Sequence, residues 1–149
     1  MKTAEDILKE KGGSVCSVSV DATVRDALEV MRENGIGSIL VKDGDEITGI
    51  WTERDLMRDS LSEDFDPRTA RIADHMTSDL QYTPHSDSVY DLMDRCLGLR
   101  KRRLLVEKDG RFIGLLSAGD VMKACLQEKD RDFKRLNELV SWEYYEKWK

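Results

Sequence analysis

The sequence has little that could bind a metal ion or form disulfide bonds. Histidine occurs twice, at His75 and His85, without the spacing of metal ligands. The three cysteines, Cys16, Cys96 and Cys125, are far apart and form no Cys-x-x-Cys pair. Because metal sites and disulfide frameworks usually show close, paired spacings, we expect no metal site. We expect three thiols in a reducing compartment, where they act as small apolar residues.

Long apolar runs and an excess of positive charge are also missing. No stretch approaches the ~20 apolar residues that span a bilayer, and the first residues lack the apolar segment of a secretory signal. The 149 residues carry a formal net charge of −6, whereas a general nucleic-acid-binding protein needs a basic face. We therefore expect a cytoplasmic protein that binds neither membranes nor nucleic acids.

No catalytic motif is recognisable. The sequence contains no His-Glu-x-x-His, no Walker-type phosphate loop and no Gly-x-Gly-x-x-Gly after a strand. The composition, with 40% hydrophobic and 36% charged residues, is sufficient for a core and a well-solvated surface. We therefore predict a folded protein that is not an enzyme and requires no cofactor.

A seven-residue motif occurs twice. Residues 49–55 read Gly-Ile-Trp-Thr-Glu-Arg-Asp, and residues 114–120, 65 positions later, read Gly-Leu-Leu-Ser-Ala-Gly-Asp. Each copy has a glycine, two large apolar residues, a hydroxyl, two variable residues and an aspartate. The similarity extends to residues 23–26 and 88–91 at the same offset. A repeat at a fixed offset indicates a repeated structural unit, and it favours two equivalent small-molecule sites over one catalytic centre.

Both halves of the chain have the same predicted order of elements, β-α-β-β-α. In the first half, alternation over 15–20 predicts a strand, Thr23 begins a capped helix, and Asp43-Gly44 is typical of a hairpin. The predicted organisation is an N-terminal helix (1–14), a first repeat (15–60), a linker with a short helix (61–78), a second repeat (79–130) and a C-terminal aromatic helix (131–149).

A β-α-β-β-α repeat that ends in Gly-x-x-Thr/Ser-x-x-Asp resembles the cystathionine β-synthase (CBS) domain, and two in tandem resemble a CBS pair, or Bateman module. The resemblance implies an α+β fold of two repeats packed with pseudo-two-fold symmetry, followed here by a C-terminal helix. It also implies a regulatory module that binds an adenosine-containing ligand, such as AMP, ADP, ATP or NADH, in clefts between the repeats. Family members usually form homodimers.

The resemblance assigns site residues to both motifs. The motif aspartates, Asp55 and Asp120, would accept hydrogen bonds from the ribose hydroxyls, and Thr52 and Ser117 would lie near ribose and phosphate. A carboxylate can accept from two vicinal hydroxyls at once. The walls of the adenine slot would be Cys16, Val18, Ser38 and Leu40 in the first half and Gln81, Thr83, Arg103 and Leu105 in the second. The alternative is that both motifs are plain helix caps with first-turn acids.

A basic cluster at residues 100–103 precedes a predicted strand in an otherwise acidic protein. By resemblance, Arg102 and Arg103 are the candidates for phosphate, because planar guanidinium groups fit phosphate oxygens bidentately. The first motif brings Arg54 instead, where the second has Gly119. The alternative is a solvated helix end that complements the helix dipole.

The last residues combine aromatic side chains with helical spacing. Phe133, Leu136 and Val140 continue a helical pattern that ends in four large aromatics: Trp142, Tyr144, Tyr145 and Trp148. Such side chains are enriched at the cores of protein interfaces. The sequence therefore leaves three functions open: a nucleotide-binding sensor, a ligand-independent scaffold that acts through this helix, or a detached regulatory subunit of an enzyme or transporter encoded elsewhere. The helix could instead cover the core of its own chain.

Overall fold

The computed structural model of the chain describes the backbone of residues 1–146 and the side chains of residues 1–140. It contains six helices and six strands within this range. In chain order they are α1 (Ala4–Lys11), β1 (Ser17–Ser19), α2 (Val24–Asn34), β2 (Ser38–Asp43), β3 (Glu46–Thr52), α3 (Glu53–Asp59), α4 (Ile72–His75), β4 (Tyr82–Pro84), α5 (Val89–Gly98), β5 (Arg103–Lys108), β6 (Arg111–Ser117) and α6 (Ala118–Glu146).

Two three-stranded sheets with the same topology form the β structure. The order is β1-β2-β3 in one and β4-β5-β6 in the other; in each, the first pair is parallel and the second antiparallel. The hairpins turn at Gly44 and at Asp109-Gly110, which all have positive φ, as the predicted hairpins require. The mixed α+β fold of two tandem repeats with a C-terminal helix is confirmed.

The chain divides into two compact units. The first unit is Gly13–Gln81, and the second unit combines Met1–Gly12 with the residues from Tyr82 onward. Buried Trp51 and Ile72 belong to the core of the first unit. The core of the second unit includes Leu116 together with Ala4 and Ile7 from α1. The N-terminal helix therefore packs with the second repeat, although it precedes the first.

The short helices α1 and α4 have corresponding roles in the two units. Thr3, just before α1, bridges to Ser88, and Arg71, just before α4, bridges to Thr23; Ser88 and Thr23 are the N-caps of α5 and α2. A side chain of α1, and one of the residue directly after α4, also lies across a motif glycine. A Cβ added to Gly114 would lie 2.6 Å from Leu8 Cδ2, and one added to Gly49 would collide with Met76. The motif glycines thus allow Leu8 of α1 and Met76, directly after α4, to approach the sheets closely.

The first strand of each repeat is shorter than predicted. We predicted a strand over 15–20 and a corresponding first strand in the second half, whereas β1 and β4 have three residues each. Each is an edge strand paired on one side only, through three registered positions. The short predicted helix in the linker is also cut to four residues, Ile72–His75.

Candidate functional site

Both motifs lie where an antiparallel strand passes directly into a helix. Thr52 ends β3 before α3, and Ser117 ends β6 before α6. Across the ladders, Thr52 is opposite Ser38, and Ser117 is opposite Arg103. Directly opposite residues of antiparallel strands place their side chains on one face of the sheet. The structure therefore brings Ser38 to the first motif and Arg103 to the second.

The hydroxyl and the aspartate of each motif bond to each other as a helix cap. Thr52 N donates to Asp55 Oδ2 at 2.9 Å, and Asp55 N donates to Thr52 Oγ1 at 3.3 Å. In the second motif, Ser117 N donates to Asp120 Oδ2 at 2.8 Å, and Asp120 N donates to Ser117 Oγ at 3.0 Å. These are reciprocal capping boxes, which satisfy two backbone donors that a helix start would otherwise leave unpaired.

The same capping box occurs at three other helices: at Thr3 and Asp6 for α1, at Thr23 and Asp26 for α2, and at Ser88 and Asp91 for α5. The spacing of hydroxyl and carboxylate is therefore explained by capping alone. A ligand role for Asp55 or Asp120 has to rest on what else surrounds each carboxylate.

The first motif is anchored on a buried tryptophan. Trp51 is fully buried, and its Nε1 donates to Asp59 Oδ2 at 3.1 Å. Asp59 also accepts from Arg58 and lies 3.3 Å from His75 Nδ1. Arg58 Nη1 is in turn 3.3 Å from Asp55 Oδ1. This network, which the sequence analysis did not identify, links the last residue of α3 to Trp51 in β3 and, through Arg58, to Asp55 in the first turn of α3.

We expect the Asp59 network to make the stability of the first unit sensitive to acid. Burial alone would raise the pKa of Asp59, but hydrogen bonds from Trp51, Arg58 and His75 outweigh burial and lower that pKa below its ordinary 3.8. Because the pKa of Asp59 is lower in the folded protein than in the unfolded chain, ionised Asp59 stabilises the folded state above about pH 4. This contribution to the free energy of unfolding is lost as pH falls through the folded-state pKa. Asp59→Asn should therefore flatten the fall of the unfolding free energy below pH 4.

Urea unfolding followed by circular dichroism at several acid pH values measures this effect. Asp43→Asn, an exposed carboxylate at the end of β2, is the control, and its curve should stay parallel to that of the unchanged protein. Identical pH slopes for Asp59→Asn and the unchanged protein would contradict the role of this network.

The second motif has a different neighbour. Lys11 Nζ, at the end of α1, donates to Asp120 Oδ2 at 2.8 Å and to the carbonyl oxygen of Leu115 at 3.2 Å. Burial alone would raise the pKa of Asp120, but the hydrogen bonds from Lys11 and Ser117 outweigh it and lower that pKa. Asp120 is thus an ionised, half-buried carboxylate with an ammonium group against it.

A cavity of about 370 Å³ opens beside this ion pair. It lies between α1 and α6, and most of its lining residues are polar or charged. The polar and charged ones are Glu10, Lys11, Asp120, Lys123 and Gln127, and the apolar ones are Ile7 and Ala124. The cavity is therefore faced by one carboxylate, which can accept hydrogen bonds from hydroxyls. It is also faced by two ammonium groups, which can pair with phosphate. This combination of charges suits a phosphorylated sugar. Sequence reasoning missed Lys11 and Lys123, since neither lies in the repeated motif.

The predicted walls of the adenine slot are divided between strand faces. In β2, the neighbours of Leu40 pack into the core of the first unit, and these are Ile39 and Val41. In β5, the neighbours of Leu105 pack into the core of the second unit, and these are Leu104 and Val106. Because successive residues of a strand point to opposite faces, Leu40 and Leu105 lie on the faces turned away from these cores. Val18 packs against the core of the first unit. Thr83 is buried and registered with core residue Val106. Val18 and Thr83 are therefore not on the faces that carry Leu40 and Leu105.

The remaining predicted site residues lie at element ends. Cys16 precedes β1, and its carbonyl accepts from Leu40 N at 3.3 Å, whereas Gln81 directly precedes β4. Arg54 is exposed on α3, and Arg102 is exposed immediately before β5. The carbonyl of Arg102 accepts from Ala118 N at 2.9 Å and from Arg103 Nη1 at 3.0 Å. The cluster thus adjoins the second motif through the backbone, and the ligand roles of these residues stay predictions.

Comparison with known proteins decides the family. The sequence model of the CBS domain matches residues 4–62 and 72–127. The chain belongs to the CBS-domain family. The predicted resemblance is therefore confirmed, and the two matched segments each contain one hydroxyl–aspartate motif. The CBS match begins at α1 and resumes at α4, in agreement with the corresponding roles of these helices.

Individual CBS-domain proteins are similar over most of the chain. The CBS domain-containing protein CBSX3, mitochondrial, from Arabidopsis thaliana is 32% identical over 152 residues, which cover 95% of this chain and 73% of that protein. The crystal structure of a CBS-domain containing protein from Agrobacterium tumefaciens has a TM-score of 0.76 at 31% identity, over 83% of this chain and 98% of that one. The crystal structure of CBSX2 in complex with AMP has a TM-score of 0.69 at 26% identity, over 84% and 97%.

The described part of this CBS-domain chain has neither a membrane-spanning helix nor a cluster of metal ligands. No helix there is long and apolar enough to cross a membrane. Within the same residues, no group of three or more histidine, cysteine, aspartate or glutamate side chains is arranged to hold a metal ion. All three cysteines are free and half-buried.

Proposed function

We propose that this chain is a regulatory module that binds an adenosine-containing ligand and passes the binding event to a second copy or to another protein. CBS-domain proteins are regulatory modules, and the related CBSX2 has been crystallised with AMP. The chain itself has no recognisable catalytic motif. We propose that it has no enzymatic activity of its own.

The observation that carries the proposal is the surroundings of Asp120. Capping alone explains its bond to Ser117, as at Asp91, but capping does not explain the adjacent cavity or the two lysines that line it. The carboxylate would accept from the vicinal ribose hydroxyls, which an apolar ligand or a deoxy sugar cannot offer as a pair. Arg102 and Arg103 would add positive charge near the phosphate. We propose the second motif as the principal site.

A thermal-shift screen tests this function. The purified chain is heated with AMP, ADP, ATP, NADH or S-adenosylmethionine, each over a wide concentration range. A ligand present at 100-fold its dissociation constant should stabilise the folded protein by ~2.7 kcal/mol. Stabilisation by at least one of them, and none by inorganic phosphate alone, supports the proposal. If none of these ligands raises the melting temperature, the nucleotide-sensor function is wrong.

The second candidate function is a scaffold that works through α6 without a ligand. Every described side chain from Lys129 to Val140 is exposed, including Phe133 and Leu136. These apolar residues recur at helical spacing, as in a helix that packs against a partner. The predicted aromatic surface of Trp142, Tyr144, Tyr145 and Trp148 lies outside the described side chains. We propose that the occupant of this helix face is a second copy of the chain.

Truncation after Asn137 tests the role of α6 in assembly. Among the side chains that the structure describes, those up to residue 140, none beyond this point belongs to the core of either unit, so the shortened chain should fold with a nearly unchanged melting temperature. We expect its mass by light scattering to fall from that of a dimer to that of a monomer. Phe133→Ser in the full chain is the matched point variant and should weaken the dimer in the same direction. Equal masses for all three proteins would exclude this helix as the dimer contact.

A further inference from the structure

The ammonium group of Lys11 lies against Asp120, the carboxylate proposed to accept from the ribose hydroxyls. Lys11 is the last residue of α1, and its Nζ spans from the Leu115 carbonyl to Asp120 Oδ2. Its side chain is 43% exposed, so the ammonium group can move into solvent or into the cavity. The matching position of the first motif has an arginine of its own helix, Arg58, against the other carboxylate oxygen. The second motif therefore has a cation brought from another element.

The acceptor sites of Asp120 make Lys11 a competitor of the ribose. Oδ2 accepts from Ser117 N at 2.8 Å and from Lys11 Nζ at 2.8 Å. A carboxylate oxygen has about two lone-pair sites, so these two donors fill Oδ2. A pair of vicinal hydroxyls that uses both oxygens of the carboxylate must therefore displace Lys11. An uncharged nucleoside has no anionic group that could replace Asp120 as the partner of the displaced Lys11.

A phosphate would compensate for that loss. Lys11 and Lys123 both line the cavity beside Asp120, and a lysine ammonium on its flexible four-carbon stem can turn to a new acceptor nearby. In a nucleotide, the phosphate is joined to the same ribose whose hydroxyls would take the carboxylate. The displaced ammonium would then exchange a carboxylate partner for a phosphate partner.

We propose that Lys11 makes the second motif select phosphorylated over unphosphorylated nucleosides, because it opposes ribose binding at Asp120 and then pairs with the phosphate. This inference rests on the proposed function and adds its specificity. The first role weakens the binding of both kinds of ligand, whereas the second strengthens the binding of the phosphorylated ligand alone. Removal of the Lys11 charge should therefore change the affinities for adenosine and AMP in opposite directions, which the loss of a merely structural residue would not do.

Isothermal titration of adenosine and AMP into the full chain tests the proposal. In Lys11→Met, adenosine should bind more tightly, by up to about fivefold, since a partly exposed ion pair of small net strength no longer competes. AMP should bind about tenfold more weakly, since a charged hydrogen bond to phosphate is lost. The preference for AMP over adenosine should thus fall by about tenfold or more. Lys11→Arg keeps the charge and should retain most of the preference.

Lys9→Met is the matched control on the same helix. Lys9 is exposed, pairs with Glu5 and lies outside the cavity lining, so its loss should leave both affinities unchanged. Melting by circular dichroism establishes that each variant is folded. An unchanged preference in Lys11→Met, or an equal loss for both ligands, overturns the selectivity role alone. If the unchanged protein binds neither adenosine nor AMP, the proposed site fails and Lys11 loses its role with it.

Discussion

Asp120→Ala should weaken AMP binding by roughly tenfold to a hundredfold, because charged hydrogen bonds to the ribose, about 1.5–3 kcal/mol in net strength, are lost. Calorimetry measures the change directly. The substitution also removes the capping acceptor of α6 and the partner of Lys11. Some loss of stability is therefore expected, of order 0.5–2 kcal/mol for a lost cap, and it has to be separated from the effect on the ligand.

Asp91→Ala is the control that separates the effect of a lost helix cap on stability from an effect on ligand binding. Asp91 closes a capping box with Ser88 in the same unit, with Ser88 N donating to its Oδ2 at 2.9 Å. Its loss should remove a comparable capping contribution from the stability of the second unit, and leave the AMP affinity unchanged. If Asp120→Ala and Asp91→Ala bind AMP equally well, the second motif is a helix cap and nothing more.

Trp51→Ala should lower the unfolding free energy of the first unit by about 3–5 kcal/mol, the range for a buried large aromatic truncated to alanine. Trp51 is fully buried, so its removal leaves a cavity between the sheet and its helices. The substitution also takes one hydrogen-bond donor from buried Asp59. A loss of this size is comparable to the whole stability of many small domains, so part of the protein should be unfolded at 37 °C.

Chemical denaturation of Trp51→Ala and Trp51→Phe together resolves the two contributions. Phenylalanine keeps an aromatic ring in the core but cannot donate to Asp59, so its cost should be clearly smaller than that of alanine. Amide hydrogen exchange should locate the loss in residues 13–81. A loss below about 1 kcal/mol for Trp51→Ala would mean that the site collapses without a cavity.

Much of the fold could be predicted because its signals are local. The capping residues Thr23 and Ser88, the hairpin at Asp43-Gly44 and the 65-residue offset each depend on short stretches of sequence. Each of these predicted elements is present in the structure. The exact lengths of β1 and β4 were not predictable in the same way. An edge strand ends where its partner ceases to pair, and that depends on a strand about twenty residues away.

The candidate site was less predictable for two physical reasons. A hydroxyl followed three residues later by an aspartate is the signature of a capping box, and the chain uses it at five helices, so the pattern alone cannot select a ligand site. The contact of Lys11 with Asp120 joins residues 109 positions apart. No periodicity or motif within either segment specifies such a pair.

The packing of α1 with the second repeat has a consequence for how the chain is made. The first unit contains all of its core residues once residue 81 has been synthesised. The apolar face of α1, with Ala4 and Ile7, is made before the first unit, yet it packs on Leu104, Val106 and Leu116, which are made after that unit. At a synthesis rate of ~5–20 residues per second, roughly 5–20 s pass between the synthesis of α1 and that of the core residues on which it packs. Slow decoding between the repeats would prolong the exposure of this face to chaperones and to neighbouring nascent chains.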